Sequence, residues 1–159
     1  MKKTILIPTD FSIESLMLLK RAIVNVEADE LDIILMFSAY SPDSITELLF
    51  YSPKEMVDKL ITDDFKEACS ILQNKYSSKI ASITIEVFHG ESRSVFNHLV
   101  ESRQIQEAFI PKKYSFRHHK NSFDPLPFIR QSSLQITEIE WETNKKKPEK
   151  DSIAELFLD

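Results

Sequence analysis

The sequence predicts an α/β domain, an open five-stranded parallel sheet with helices on both faces. Three observations carry that expectation. Short apolar runs alternate along the chain with stretches whose apolar residues recur at helical spacing. The connections between successive runs are long enough for the crossovers that parallel strands need. The first run, Thr4 to Pro8, is apolar on both faces, as a central strand covered on both sides must be.

The elements follow in order. Thr4 to Pro8 is the first strand. Ser12 can cap a helix whose apolar residues are Leu16, Leu19, Ile23 and Val26. Leu31 to Phe37 is the second strand. Tyr40 to Ser52 is a connector whose middle, Ile45, Leu48 and Leu49, can form a short amphipathic helix. Ser52-Pro53-Lys54-Glu55 combines a serine cap, a proline in the first turn and a glutamate three residues after the serine. It predicts one long helix running through Met56, Leu60, Phe65, Cys69 and Tyr76. Ile80 to Phe88 is the third strand, and Gly90 turns the chain into a helix capped by Ser92. Ile105 to Ile110 is a fourth strand ending at Pro111. Asp124-Pro125 starts a short helix, and Leu134 to Trp141 is the last strand. There Leu134 and Ile136 alternate while Ile139 and Trp141 continue one residue out of phase, which predicts a bulge or bend near Thr137.

Composition bounds the function. The 159 residues suit one domain, residues 1–142, followed by a polar linker and tail, residues 143–159. A net charge of −5 argues against general affinity for nucleic acid, and no apolar run is long enough to span a bilayer. The single cysteine, Cys69, forms no intrachain disulfide and fits a reducing, cytoplasmic setting. Gly90 is the only glycine, where average usage of about 7% would give roughly 11. Phosphate-cradling loops use glycine for close backbone approach and positive φ, so few are open to this chain.

The segment Lys3-Thr4-Ile5-Leu6-Ile7-Pro8-Thr9-Asp10-Phe11-Ser12 resembles the first strand and loop of the universal stress protein family, and Phe88-His89-Gly90 is similar at a second point. The resemblance covers roughly Lys3 to Trp141 and weakens after Ile105. It implies strand order 3-2-1-4-5, a homodimer paired through the last strand (Leu134, Ile136, Ile139 and Trp141), and a regulatory or binding role in stress adaptation. In the branch of the family that binds ATP, Pro8, Thr9 and Asp10 match a segment bordering the adenosine. That branch seats its phosphates on a Gly-x-x-Gly-x9-Gly-Ser/Thr loop after the fourth strand. This chain has no glycine after Gly90, and Pro111 stands near the first loop position, where proline removes an N–H. The expectation is a vestigial nucleotide site, no cofactor and no catalysis.

The candidate residues each carry two readings. Asp10 can accept a ligand hydroxyl or amine, or hydrogen-bond backbone N–H groups at the start of the first helix. Lys112, Lys113, Arg117, His118, His119 and Lys120, interleaved with Tyr114, Phe116 and Phe123, can clamp an anion, contact RNA, or form a solvated loop. His89, His98, His118 and His119 make no metal signature. Cys69 lies on an apolar helical stripe and is expected to pack. In the tail, Ile153, Leu156 and Phe157 fall at i, i+3 and i+4 behind a Ser152–Glu155 capping box and the linker Lys145 to Lys150. Those features make the tail a candidate to dock on its own dimer or on a protein partner.

Overall fold

The apolar run at the start of the chain becomes the middle of the sheet. A computed structural model describes residues 1–112 and 117–140. Lys113, Tyr114, Phe116, Trp141 and the tail, residues 143–159, lie outside the described residues. The elements are β1 Lys2–Pro8, α1 Ser15–Asn25, β2 Glu30–Ser38, α2 Ile45–Leu49, α3 Pro53–Leu60, α4 Asp63–Lys75, β3 Ile80–Phe88, α5 Arg93–Ser102, β4 Glu107–Pro111, α6 Leu126–Arg130 and β5 Gln135–Ile139. The strands lie in the order β3-β2-β1-β4-β5, every neighbouring pair parallel.

Alternation along each strand splits the core into two layers. Ile5, Ile7, Ile33, Leu35 and Phe37 face α1 (Leu16, Leu19, Ile23) and α4 (Phe65, Ala68, Leu72). Leu6, Ile34, Met36 and Phe88 face α5 (Phe96) and α6 (Ile129). At the base of the sheet the buried Glu107 accepts from Lys3 Nζ at 3.2 Å and from Thr137 Oγ1 at 3.0 Å, tying β1, β4 and β5 together. Lys79 closes the C-terminus of α1 from outside it, donating to the carbonyls of Ile23 at 2.7 Å and Val26 at 2.9 Å. There the helix dipole favours a cation.

Three expectations need correction. The long helix is two helices. Ile61 is extended at ψ 124°, and Thr62 starts α4 by accepting the Phe65 N–H at 3.1 Å, with Asp63 and Asp64 in the first turn. Thr-Asp-Asp is a strong start signal inside a helical pattern, and the acids suit the positive helix end. The first helix begins later than Ser12. Its hydroxyl accepts the Ser15 N–H at 3.2 Å and so holds the turn preceding α1. No bulge interrupts β5, whose register on β4 runs unbroken from Glu107↔Gln135 to Pro111↔Ile139. The change of phase has another cause: Leu134 and Ile136 pack into the second layer and Ile139 into the first. An edge strand that serves both layers reads as out of phase.

Thr62→Ala is expected to lower global stability by about 1 kcal/mol, read as a fall in the urea midpoint. Ser44→Ala removes the equivalent cap of α2, which buries no residue, and should leave that midpoint unchanged.

Candidate functional site

In an open parallel sheet, ligands collect beyond the carboxyl ends of the strands where the winding reverses, here between β1 and β4. β1 delivers Pro8, Thr9 and Asp10 to that point, all buried. The Thr9 N–H donates to the Met36 carbonyl at 2.9 Å, and Thr9 Oγ1 accepts the Phe11 N–H at 3.1 Å and pairs with Ser15 Oγ at 3.0 Å. Asp10 Oδ1 accepts the Ser12 N–H at 2.9 Å and the Ser12 hydroxyl at 2.6 Å. The turn between them puts Phe11 at φ 65°, a region unfavourable for a residue with a Cβ. Aromatic packing holds it there: the Phe11 ring lies 4.6 Å from Phe37 and meets Phe65 edge-on at 5.7 Å.

The chain leaving β4 returns over this turn. The Arg117 N–H donates to Asp10 Oδ2. His119 Nε2 lies 2.7 Å from the Asp10 carbonyl, which can only accept, so Nε2 carries the hydrogen. The His119 ring meets Phe37 edge-on at 5.6 Å and Phe11 at 6.5 Å. Beyond it the segment runs antiparallel to the end of β2. The Tyr40 N–H donates to the Asn121 carbonyl at 2.9 Å, Ala39 bridges Ser122, and the Phe123 N–H donates to the Ser38 carbonyl at 3.1 Å. Asn121 makes the necessary positive-φ turn at 63° without glycine. Phe123 stacks on Tyr40 at 4.4 Å. Gly90 sits against both rings, where a Cβ would lie 3.1 Å from each, and its φ is 83°.

The basic cluster is therefore divided. Lys112 points outward and pairs with Glu140 at 3.3 Å. Arg117 brings its backbone to Asp10, His118 is exposed, and His119 turns inward. Of the sequence candidates, the structure brings together Thr9, Asp10, Arg117 and His119, and it leaves Lys112 and His118 apart from them. Phe11 and Phe37, the walls that receive His119, carried no signal as site residues because each reads as ordinary core.

The remaining histidines are structural or exposed. His89 Nδ1 lies 3.0 Å from the Ala39 carbonyl, and His98 faces solvent. Among the described residues, no three histidine, cysteine or carboxylate side chains cluster to hold a metal, and no helix is long and apolar enough to cross a membrane. Cys69 packs against the first core layer, where burial pushes its thiol pKa up to about 12. A cavity of about 530 Å³ lies to one side of the crevice, between α2, α3 and the Lys120–Asn121 turn.

No protein-family model matches the chain, and no curated protein matches it. Solved structures do. The hypothetical protein MJ0577, whose biochemical function was assigned from its structure, superposes with a TM-score of 0.53 at 15% identity. The match covers 89% of this chain and 98% of that one. A universal stress protein in complex with cAMP superposes with a TM-score of 0.50 at 15% identity, covering 88% of this chain and 98% of that one. The fold is of the universal stress protein type.

His119→Ala removes one ring contact set and one hydrogen bond, and should cost about 2 kcal/mol of stability in chemical denaturation. Cys69 is expected to resist an aromatic disulfide reagent at pH 8, reacting only as the chain unfolds. From its ordinary 9.0 up to about 12, the unfolded chain releases a thiol proton that the folded chain keeps. Stability should therefore fall as pH rises through that window, and Cys69→Ala should flatten the slope.

Proposed function

We propose that this chain is a non-catalytic regulatory or binding protein of stress adaptation, working in the cytoplasm, whose crevice does not take ATP in the manner of nucleotide-binding stress proteins. One observation carries the reading. The Asp10 carboxylate that would face a ligand is bonded on both oxygens by the chain itself, and His119 fills the aromatic corner beside it. A nucleoside entering here must first displace Arg117 and His119. Its phosphates would then find Pro111, which has no N–H, and a segment without the glycines that phosphate-cradling loops use.

A second reading keeps a nucleotide in play. A universal stress protein of similar fold holds cAMP, and the basic segment from Lys112 to Lys120 can supply charge where glycine N–H groups are missing. In that case Lys112 and Lys113 would act as a clamp after the segment lifts from Asp10. The unpaired edge of β5 also supports a homodimer formed strand to strand, since β5 pairs only with β4 among the described residues. Leu134, Ile136 and Ile139 pack within the subunit, so backbone pairing would lead that contact.

Calorimetric titration with ATP and Mg²⁺, and separately with cAMP, is expected to show no binding tighter than roughly millimolar, about 4 kcal/mol. Micromolar affinity would overturn the first reading. Its loss in a Lys112→Ala, Lys113→Ala double variant would then establish the clamp. Sedimentation at tens of micromolar should give a dimer; a monomer there removes the strand-to-strand contact.

A further inference from the structure

The connector between β2 and β3 carries an apolar surface that the domain does not use. α2 buries no residue: Ile45 is 78% exposed and Leu49 75%, and Phe50, which ends the helix, is 80% exposed. Its N-cap is nonetheless made, with Ser44 Oγ accepting the Glu47 N–H at 3.2 Å. Phe50 stands at the mouth of the cavity of about 530 Å³, whose walls are Tyr40, Tyr51, Met56 and Leu60. Lys59 and Lys120 line the same cavity together with Glu47 and Glu55, and neither lysine makes an ion pair among the described residues. The site is thus an apolar groove whose lining carries two lysines and two glutamates, and its size suits a short helical segment or a few large side chains.

The chain itself supplies a segment of matching chemistry. After Glu140 it continues for a further stretch, in which Asp151-Ser152-Ile153-Ala154-Glu155-Leu156-Phe157-Leu158-Asp159 places three apolar residues at i, i+3 and i+4 among three carboxylates. The chain leaves β5 at the carboxyl end of the sheet, the end that holds the groove, and on the α1 side, since Arg21 of α1 donates to the Glu140 carbonyl. α3 packs on that side too, through Val57. From β5 to β2 is three strand spacings, about 14 Å. Residues 141–151 reach about 36 Å when extended, at roughly 3.3 Å each. A tether of this length gives a local concentration on the order of millimolar, so a contact with a Kd of about 0.1 mM would be filled about nine-tenths of the time.

We propose that the groove between α2 and α3 is the seat of the chain's own residues 152–158, with Ile153, Leu156 and Phe157 set against Phe50, Met56 and Leu60, and with Glu155 and the flanking acids facing Lys59 and Lys120. Docking in this way covers the exposed Phe50 ring, and a competing partner helix of the same chemistry would release the tail.

The test uses the full chain carrying Cys69→Ala and Asp159→Cys with a nitroxide on the new thiol. The amide signals of Thr46, Phe50, Met56 and Leu60 should lose more than half their intensity, unchanged on tenfold dilution. Broadening confined to another surface, or spread evenly over the domain, overturns the proposal. Isotope-labelled chain without nitroxide, mixed with nitroxide-bearing unlabelled chain, should show no such broadening. If it does, the groove takes the tail of a second copy, and the assignment within one chain falls. Ile153→Asp with Phe157→Asp in the otherwise native chain gives a readout free of the label. Amide shifts should move across α2 and α3 and stay fixed in β1, and an unchanged α2 and α3 refutes docking.

Discussion

The carboxylate of Asp10 joins the two ends of this fold. One oxygen fixes the turn from β1 into α1 through Ser12, and the other receives the backbone of Arg117 from the segment that follows β4. Buried carboxylates are retained when their lone pairs are filled, and hydrogen bonds to an ionised acceptor are about twice as strong as neutral ones. Everything at the carboxyl end of the sheet depends on this arrangement. The same turn pushes Phe11 to positive φ and so aims its ring at Phe37, which builds the corner that His119 enters. The residue that leads from β1 into the crevice here organises the closure of that crevice.

Scarcity of glycine shapes the rest. Four non-glycine residues, Phe11, Glu91, Gln104 and Asn121, are described with positive φ, each at a junction where strand, helix and loop change direction. Left-handed backbone costs such residues roughly 1–2 kcal/mol apiece, and each needs local compensation. Asn121 is the mildest case by residue type, and its carbonyl is fixed by the Tyr40 N–H. Phe11 is the most demanding and has the densest aromatic packing around it.

The sheet was readable from the sequence because its signals are local. Apolar runs and crossover lengths specified five parallel strands, and Ser52, Gly90 and Ser92 marked turns and helix starts that the structure uses. The break at Thr62 was also written locally, but the unbroken apolar stripe from Met56 to Tyr76 masked it. Leu134, Ile136 and Ile139 misled for a related reason, since the simple alternation rule assumes that only one face of an edge strand is dry, and here both faces pack. The closure of the crevice had no local signal at all. It joins Asp10 to residues more than a hundred positions away, and nothing in His118-His119 says which ring turns inward. Only the position of the sheet end decides that.

The β4–β5 crossover contains a helix of five residues, too short to roof its half of the second layer. Phe123 and Phe128 complete the roof beside Phe96 of α5, over Phe88 of β3, which lies 5.3 Å from Phe96 and 5.0 Å from Phe128. Phe123 belongs both to this cluster and to the segment that closes the crevice, 5.8 Å from Phe88 and 5.9 Å from Phe128. Peeling that segment away therefore pulls a ring from the interior and exposes its neighbours to water. Its amides should exchange with solvent on the schedule of the sheet rather than that of a surface loop. Closure in this protein belongs to the folding unit itself, and what would be a hinged cover elsewhere behaves here as part of the wall.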